Sequence, residues 1–134
     1  MKHTLETDGF QLELQAKFFE EDRQYPVNTT LQISVASGRF GGAACWDVDF
    51  RKLKEFARQL MRLYQELKGE ARLCEAYRED EFLAFAGDGK GHISVFGQLS
   101  SHLEDGFAQS LRFENQIDQT ELNRFARDLL REYA

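Results

Sequence analysis

The sequence predicts an α+β fold: a mostly antiparallel sheet of about seven strands, with two amphipathic helices packed on one face. Three observations predict it. Apolar and polar residues alternate at period two in several short stretches, the pattern of half-buried strands. Two longer stretches switch to helical spacing, and an aspartate opens each. Glycine-rich or acidic clusters separate these stretches, as turns require. The 134 residues supply one core of usual size, so residues 1–134 read as a single domain. With 42% hydrophobic residues, twelve phenylalanines and one proline, the composition is that of a globular chain.

The elements follow in order. Met1 to Asp8 has no apolar run, so no secretory signal is expected and His3 is placed in a frayed terminus. Phe10, Leu12, Leu14, Ala16 and Phe18 alternate with Gln11, Glu13, Gln15 and Lys17 in a first strand. Glu20 to Pro26 reads as a loop. Leu31, Ile33 and Val35 alternate with Thr30, Gln32 and Ser34 in a second strand. Gly38, Gly41 and Gly42 punctuate a turn, and a third strand runs from Ala43 to Val48. Asp49 caps a helix whose inner stripe is Leu53, Phe56, Ala57, Leu60, Leu63, Tyr64 and Leu67, with Gly69 as its left-handed stop.

Residues 70–77 and 82–85 form the next two strands, parted by an acidic turn at Glu79-Asp80-Glu81. Gly87 to Gly91 is a hairpin loop. Ile93, Val95 and Leu99 mark a sixth strand, His102 to Gly106 turn the chain, and Leu111, Phe113 and Ile117 mark a seventh. Asp118 opens the last helix, with Leu122, Phe125, Ala126, Leu129 and Leu130 inward and capping-box spacing to Glu121. Short loops join antiparallel neighbours. The first helix returns the chain so that the third and fourth strands run parallel through a right-handed crossover.

The helices share a pattern. Asp49, Leu53, Phe56-Ala57-Arg58 and Leu60 recur 69 residues later as Asp118, Leu122, Phe125-Ala126-Arg127 and Leu129. Duplication explains this, and so does a shared task of covering one sheet face.

The formal charge of −6 argues against nucleic-acid binding, which needs clustered cations, and permits a basic protein partner. The run Arg51, Lys52, Lys54, Arg58, Arg62 and Lys68 makes the first helix locally basic and the remainder more acidic. No apolar run approaches the roughly 18 residues of a membrane span. Two cysteines fit a reducing compartment, and the expected location is the cytoplasm.

If the start of the first helix is called the top, three acidic loops lie there. They carry Glu20-Glu21-Asp22, Glu79-Asp80-Glu81 and Glu104-Asp105. Tyr25, Tyr77 and Arg78 sit beside them as partner anchors by position. A solvated edge is the plainer account of this rim, and a contact surface the sharper one.

No catalytic, cofactor or metal motif emerges. His3, His92 and His102 lack zinc-ligand spacing, and His92 reads as a structural histidine after a turn. Cys45 and Cys74 read as small buried hydrophobes. Gly87-Asp88-Gly89-Lys90-Gly91 does not continue into a helix, as a phosphate loop would. Phe96 and either Phe82 or Phe85 are placed toward the open sheet face.

Gly38-x-Phe40-x-Gly42, Asp49-x-x-x-Leu53-x-x-Phe56, Leu67-x-Gly69-x-Ala71, Asp88-Gly89-x-Gly91-His92-Ile93-x-Val95 and Asp118-Gln119-Thr120-x-Leu122 occur in this order. The order resembles the WapI-type immunity-protein family and related small bacterial domains, over residues 8–132. The resemblance implies an intracellular bacterial protein that binds and neutralises the C-terminal effector domain of a polymorphic toxin. It transfers no catalytic residue and no cofactor.

Two other classes stay open. A ligand-binding or enzymatic domain would show a deep polar cavity holding His92 or Asp47. A self-associating module would use its open face or a strand edge, and oligomeric state is not legible.

Overall fold

The structure, a computed structural model, describes residues 1–133. β1 (Lys2–Thr7), β2 (Phe10–Phe18), β3 (Thr29–Ser37) and β4 (Phe40–Val48) pair in that order as an antiparallel meander, and α1 (Phe50–Glu66) follows. β5 (Lys68–Glu75), β6 (Arg78–Asp88), β7 (Ile93–His102) and β8 (Ala108–Ile117) form a second meander, and α2 (Gln119–Tyr133) follows. Each half of the chain therefore runs four antiparallel strands and then a helix.

The α+β class holds, and the single seven-stranded sheet does not. Two sheets of four strands take its place. Among the described residues no strand pair is parallel, because β4 and β5 are edge strands of different sheets and α1 carries the chain between them. Alternation fixes which face of a strand is buried, not which strand lies beside it.

The additional strand is β1. His3 and Leu5 point inward while Thr4 and Glu6 do not, and the strand pairs with β2 from Lys2↔Gln15 to Thr7↔Phe10. His3 is thus not in a frayed terminus. It is buried, bonds Glu132 of α2, and lies 5.6 Å from the Tyr133 ring. Burial, and then the charge of Glu132, push the Tyr133 phenol above its ordinary range.

One apolar core joins both halves. Leu12, Ile33 and Trp46 enter from the first sheet, and Phe85 and Val95 from the second. Leu53, Phe56 and Leu60 of α1 meet Leu122, Phe125 and Leu129 of α2 within it. Each such side chain contributes roughly 2 kcal/mol on burial. The helices lie against each other, α1 covers β5 and α2 covers β1. Each helix therefore covers an edge strand of the other half's sheet.

Both aspartate caps form. Asp49 Oδ1 accepts from the Arg51 N–H at 2.8 Å, and Asp118 Oδ1 from the Thr120 N–H at 2.7 Å. The capping box is only half made, since the Glu121 carboxylate bonds Arg124 instead of reaching back.

α1 stops at Leu67 (φ 59°) rather than at Gly69. Two contacts hold the left-handed leucine. Its N–H donates to the Leu63 carbonyl at 2.7 Å, and its own carbonyl accepts from the Gly89 N–H at 2.8 Å. The β6 backbone also passes so close that a Cβ on Gly87 would lie 2.5 Å from the Leu67 oxygen. Gly97 meets a similar demand in β7, where a Cβ would clash with the Phe82 carbonyl and lie 2.9 Å from Phe113 Cζ.

Candidate partner-binding surface

The connection between β2 and β3 carries Glu20, Glu21, Asp22 and Tyr25, the first three as a single 3-10 turn. Buried Asn28 holds it in place. Its amide donates to the carbonyls of Arg23 (3.3 Å) and Tyr25 (3.2 Å), and its Oδ1 accepts from the Phe50 N–H at 2.8 Å. The Arg51 guanidinium adds a bond to the Tyr25 carbonyl at 3.3 Å. That guanidinium also bonds the Asp49 carboxylate and holds its pKa below the ordinary value. The loop backbone is thus tied to the start of α1, while the Tyr25 side chain stays exposed.

The β5–β6 turn is held the same way. Buried Glu75 accepts from the N–H groups of Tyr77 (2.6 Å) and Asp47 (3.0 Å), and the Ala76 N–H donates to the Asp47 carbonyl at 2.9 Å. These bonds fix the turn to the end of β4 and leave Tyr77 73% exposed. Pro26, Val27, Lys52, Cys74, Tyr77 and Glu79 line one groove of about 860 Å³. The structure therefore brings Pro26 and Val27 of the Tyr25 loop, the Tyr77 turn, Glu79 and α1 to one groove.

Glu81 departs from the predicted rim. The expected turn at 79–81 belongs to β6, and Glu81 is 2% exposed. Its carboxylate accepts from Trp46 Nε1 (3.2 Å), the Ser100 N–H (2.9 Å) and Arg78 (3.2 Å). It joins the first sheet to the second and lies at the floor of a groove with little of its surface exposed, not on a projecting rim. The signal was present, because 81, 83 and 85 share a period-two face with Leu83 and Phe85. Glu79, Asp80 and Arg78 remain exposed.

Glu104 and Asp105 lie at the tip of the β7–β8 hairpin, where every residue from 101 to 110 is exposed. Leu103 and Phe107 flank them, and the Leu103 N–H closes the tip on the Phe107 carbonyl at 2.8 Å. This hairpin is an arm. Glu104 and Asp105 line neither the Tyr77 groove nor a second groove of about 690 Å³, which is bounded by Lys2, Glu13, Cys45, Arg78 and His102.

Other candidates resolve one by one. His92 is exposed in the β6–β7 hairpin, with Nδ1 2.8 Å from Asp88 Oδ2. The Lys90 N–H, and then this imidazole, lower the Asp88 carboxyl to about 2. Neither His92 nor Asp47 lines any of these grooves. Cys45 is exposed rather than buried, because it faces opposite to Trp46 on β4; Cys74 is half-buried. Phe82 and Phe96 form an edge-to-face pair on the outer face of the second sheet with Arg72 over Phe82, whereas Phe85 is in the core. Among the described residues, no group of three His, Cys, Asp or Glu is placed to hold a metal ion. No helix among them is long and apolar enough to cross a membrane.

Fold and surface together define an α+β protein of two sheet-and-helix halves, with exposed tyrosines held on rigid turns beside one groove. Residues 3–134 match the Immunity protein WapI-like family, and the chain belongs to that family. No curated protein gives a significant match.

Proposed function

We propose that this protein neutralises a toxin domain by binding it, without catalysis. The family match across residues 3–134 carries this reading. The assigned surface is Glu20, Glu21, Asp22 and Tyr25 from the β2–β3 loop, Tyr77, Arg78, Glu79 and Asp80 from the β5–β6 turn, and Glu104 and Asp105 from the arm. Tyrosines on fixed backbone offer large contact area at little cost in entropy, as binding anchors do. The carboxylates suit a basic partner, speeding its encounter and fixing its orientation. A nuclease toxin fits that description, since its own substrate is a polyanion. The reading involves no nucleic-acid or membrane contact and places the protein in the cytoplasm.

The test combines Glu20→Lys, Glu21→Lys and Glu79→Lys, all exposed. Against the cognate effector domain, the association rate at low salt should fall at least about tenfold while the melting temperature holds. An unchanged rate removes the rim from the account. Wild-type protein that gives no protection to cells producing the effector overturns the immunity reading itself.

A further inference from the structure

The β7–β8 arm is braced at its base and uncovered at its tip. β6 pairs with β7 from Phe82↔Gln98 to Gly87↔Ile93, so from Leu99 to His102 the pairing of β7 is with β8 alone. At the base, Leu99 is buried and the Ser100 N–H donates to the Glu81 carboxylate at 2.9 Å. Leu111 lies against Gly42 of β4, where an added Cβ would sit 3.3 Å from Leu111 Cδ2. Beyond this base the rest of the chain gives the arm no cover, and every residue from 101 to 110 is exposed. Two bonds close the tip. The Leu103 N–H donates to the Phe107 carbonyl at 2.8 Å, and the Gly106 N–H to the Leu103 carbonyl at 3.0 Å.

The residues at this tip are not those of an ordinary solvated turn. Phe107 is 68% exposed and Leu103 49%, two large apolar side chains on one short loop. A pair of that kind, left open by its own chain, marks a contact surface. Glu104 and Asp105 lie between them. From Ser100 to Leu111 there is no lysine or arginine, and among the described residues no cation pairs with either carboxylate.

A surface that fits this tip carries cations beside apolar or aromatic side chains. Clefts for single-stranded nucleic acid are built in that way: a positive groove follows the phosphates, and aromatic side chains stack on the bases. We propose that the arm enters such a cleft on the toxin domain and takes the place of a nucleic-acid strand. Phe107 stands where a base would stack, and Glu104 and Asp105 where phosphates would lie. The inference rests on the immunity reading. It adds the substrate class of the target, the element that blocks it, and Leu103 and Phe107 as contacts. The braced base serves this role, because an arm held in place before binding loses little entropy on entry. The net charge of −6 steers the protein toward a cationic cleft.

The test uses the cognate effector domain and a labelled single-stranded oligonucleotide with phosphorothioate linkages. The effector should bind the oligonucleotide, and one equivalent of wild-type protein should release it. Leu103→Ala combined with Phe107→Ala should weaken binding to the effector at least about tenfold. Glu104→Gln combined with Asp105→Asn should slow association at low salt about fivefold. Both variants should keep the wild-type melting temperature, because all four side chains are exposed. Three results overturn the proposal and leave the immunity reading standing: an effector that does not bind the oligonucleotide, a ternary complex of effector, oligonucleotide and protein, or binding indifferent to both variants. Wild-type protein that does not bind the effector overturns both.

Discussion

The two halves of the chain run through the same elements, yet each is completed by the other's helix. Both are four-strand meanders followed by a helix, and their aspartate caps stand 69 residues apart. The recurrence covers the whole element order and not the helices alone, which a shared packing task does not require. The halves differ in where they are loose. The first has its long connection between β2 and β3, held by Asn28. The second extends the β7–β8 arm and is tight elsewhere, with Gly87 and Gly97 admitting backbone and aromatic ring. Because α1 covers β5 and α2 covers β1, neither half has a complete core of its own. Repetition in sequence has therefore not produced independent units.

That comparison can be broken most sharply at Gly97. Gly97→Ala drives a methyl into the Phe82 carbonyl and the Phe113 ring, at a cost of at least about 3 kcal/mol. The change lies in the second half, whereas the only tryptophan, Trp46, lies in the first. Thermal unfolding read by Trp46 fluorescence and by far-UV circular dichroism should shift by the same amount. Two separate transitions would show that the halves melt independently.

Glu81→Ala probes the joint itself. It leaves Trp46 Nε1 and the Ser100 N–H without their acceptor, for a loss of about 2 kcal/mol in chemical denaturation. Glu81→Gln keeps an acceptor oxygen and should lose less. Equal losses would mean that the carboxylate's hydrogen bonds do not join the halves.

The smallest effect is expected at the β6–β7 hairpin. Asp88 has its carboxyl lowered from 3.8 to about 2, so its contribution is full above pH 3.8 and fades as pH falls toward 2. Wild type should melt above Asp88→Asn near neutral pH, and the gap should close at about pH 2. A gap independent of pH would assign the hairpin's stability to its turn geometry instead.

Much of this fold was legible in the chain. Helical spacing and aspartate caps located α1 and α2, and period two, a buried run at 82–85 and the turn clusters between them located every strand but one. β1 escaped because its inward residues are His3 and Leu5, and one apolar side chain makes no pattern. The division into two sheets escaped because alternation reports burial and is silent about neighbours. The left-handed stop fell on Leu67 because contacts with Gly87 and Gly89, distant in sequence, decide it. At the candidate surface, the meeting of Pro26 and Val27 with Tyr77 and Glu79 in one groove is a tertiary fact that loop order only hinted at. Glu81 and Cys45 were misjudged by residue type, when strand parity would have placed one inside and the other outside.

The crossed helices also bear on how the protein is made. β1 is synthesised about a hundred residues before the helix that covers it, which lies beyond β8. Through most of translation the first sheet stands with His3 and Leu5 uncovered and Glu81, the acceptor for Trp46, not yet in place. Completion waits on the last turns of α2, so the nascent chain has little to gain by folding early and a long interval in which to meet a chaperone.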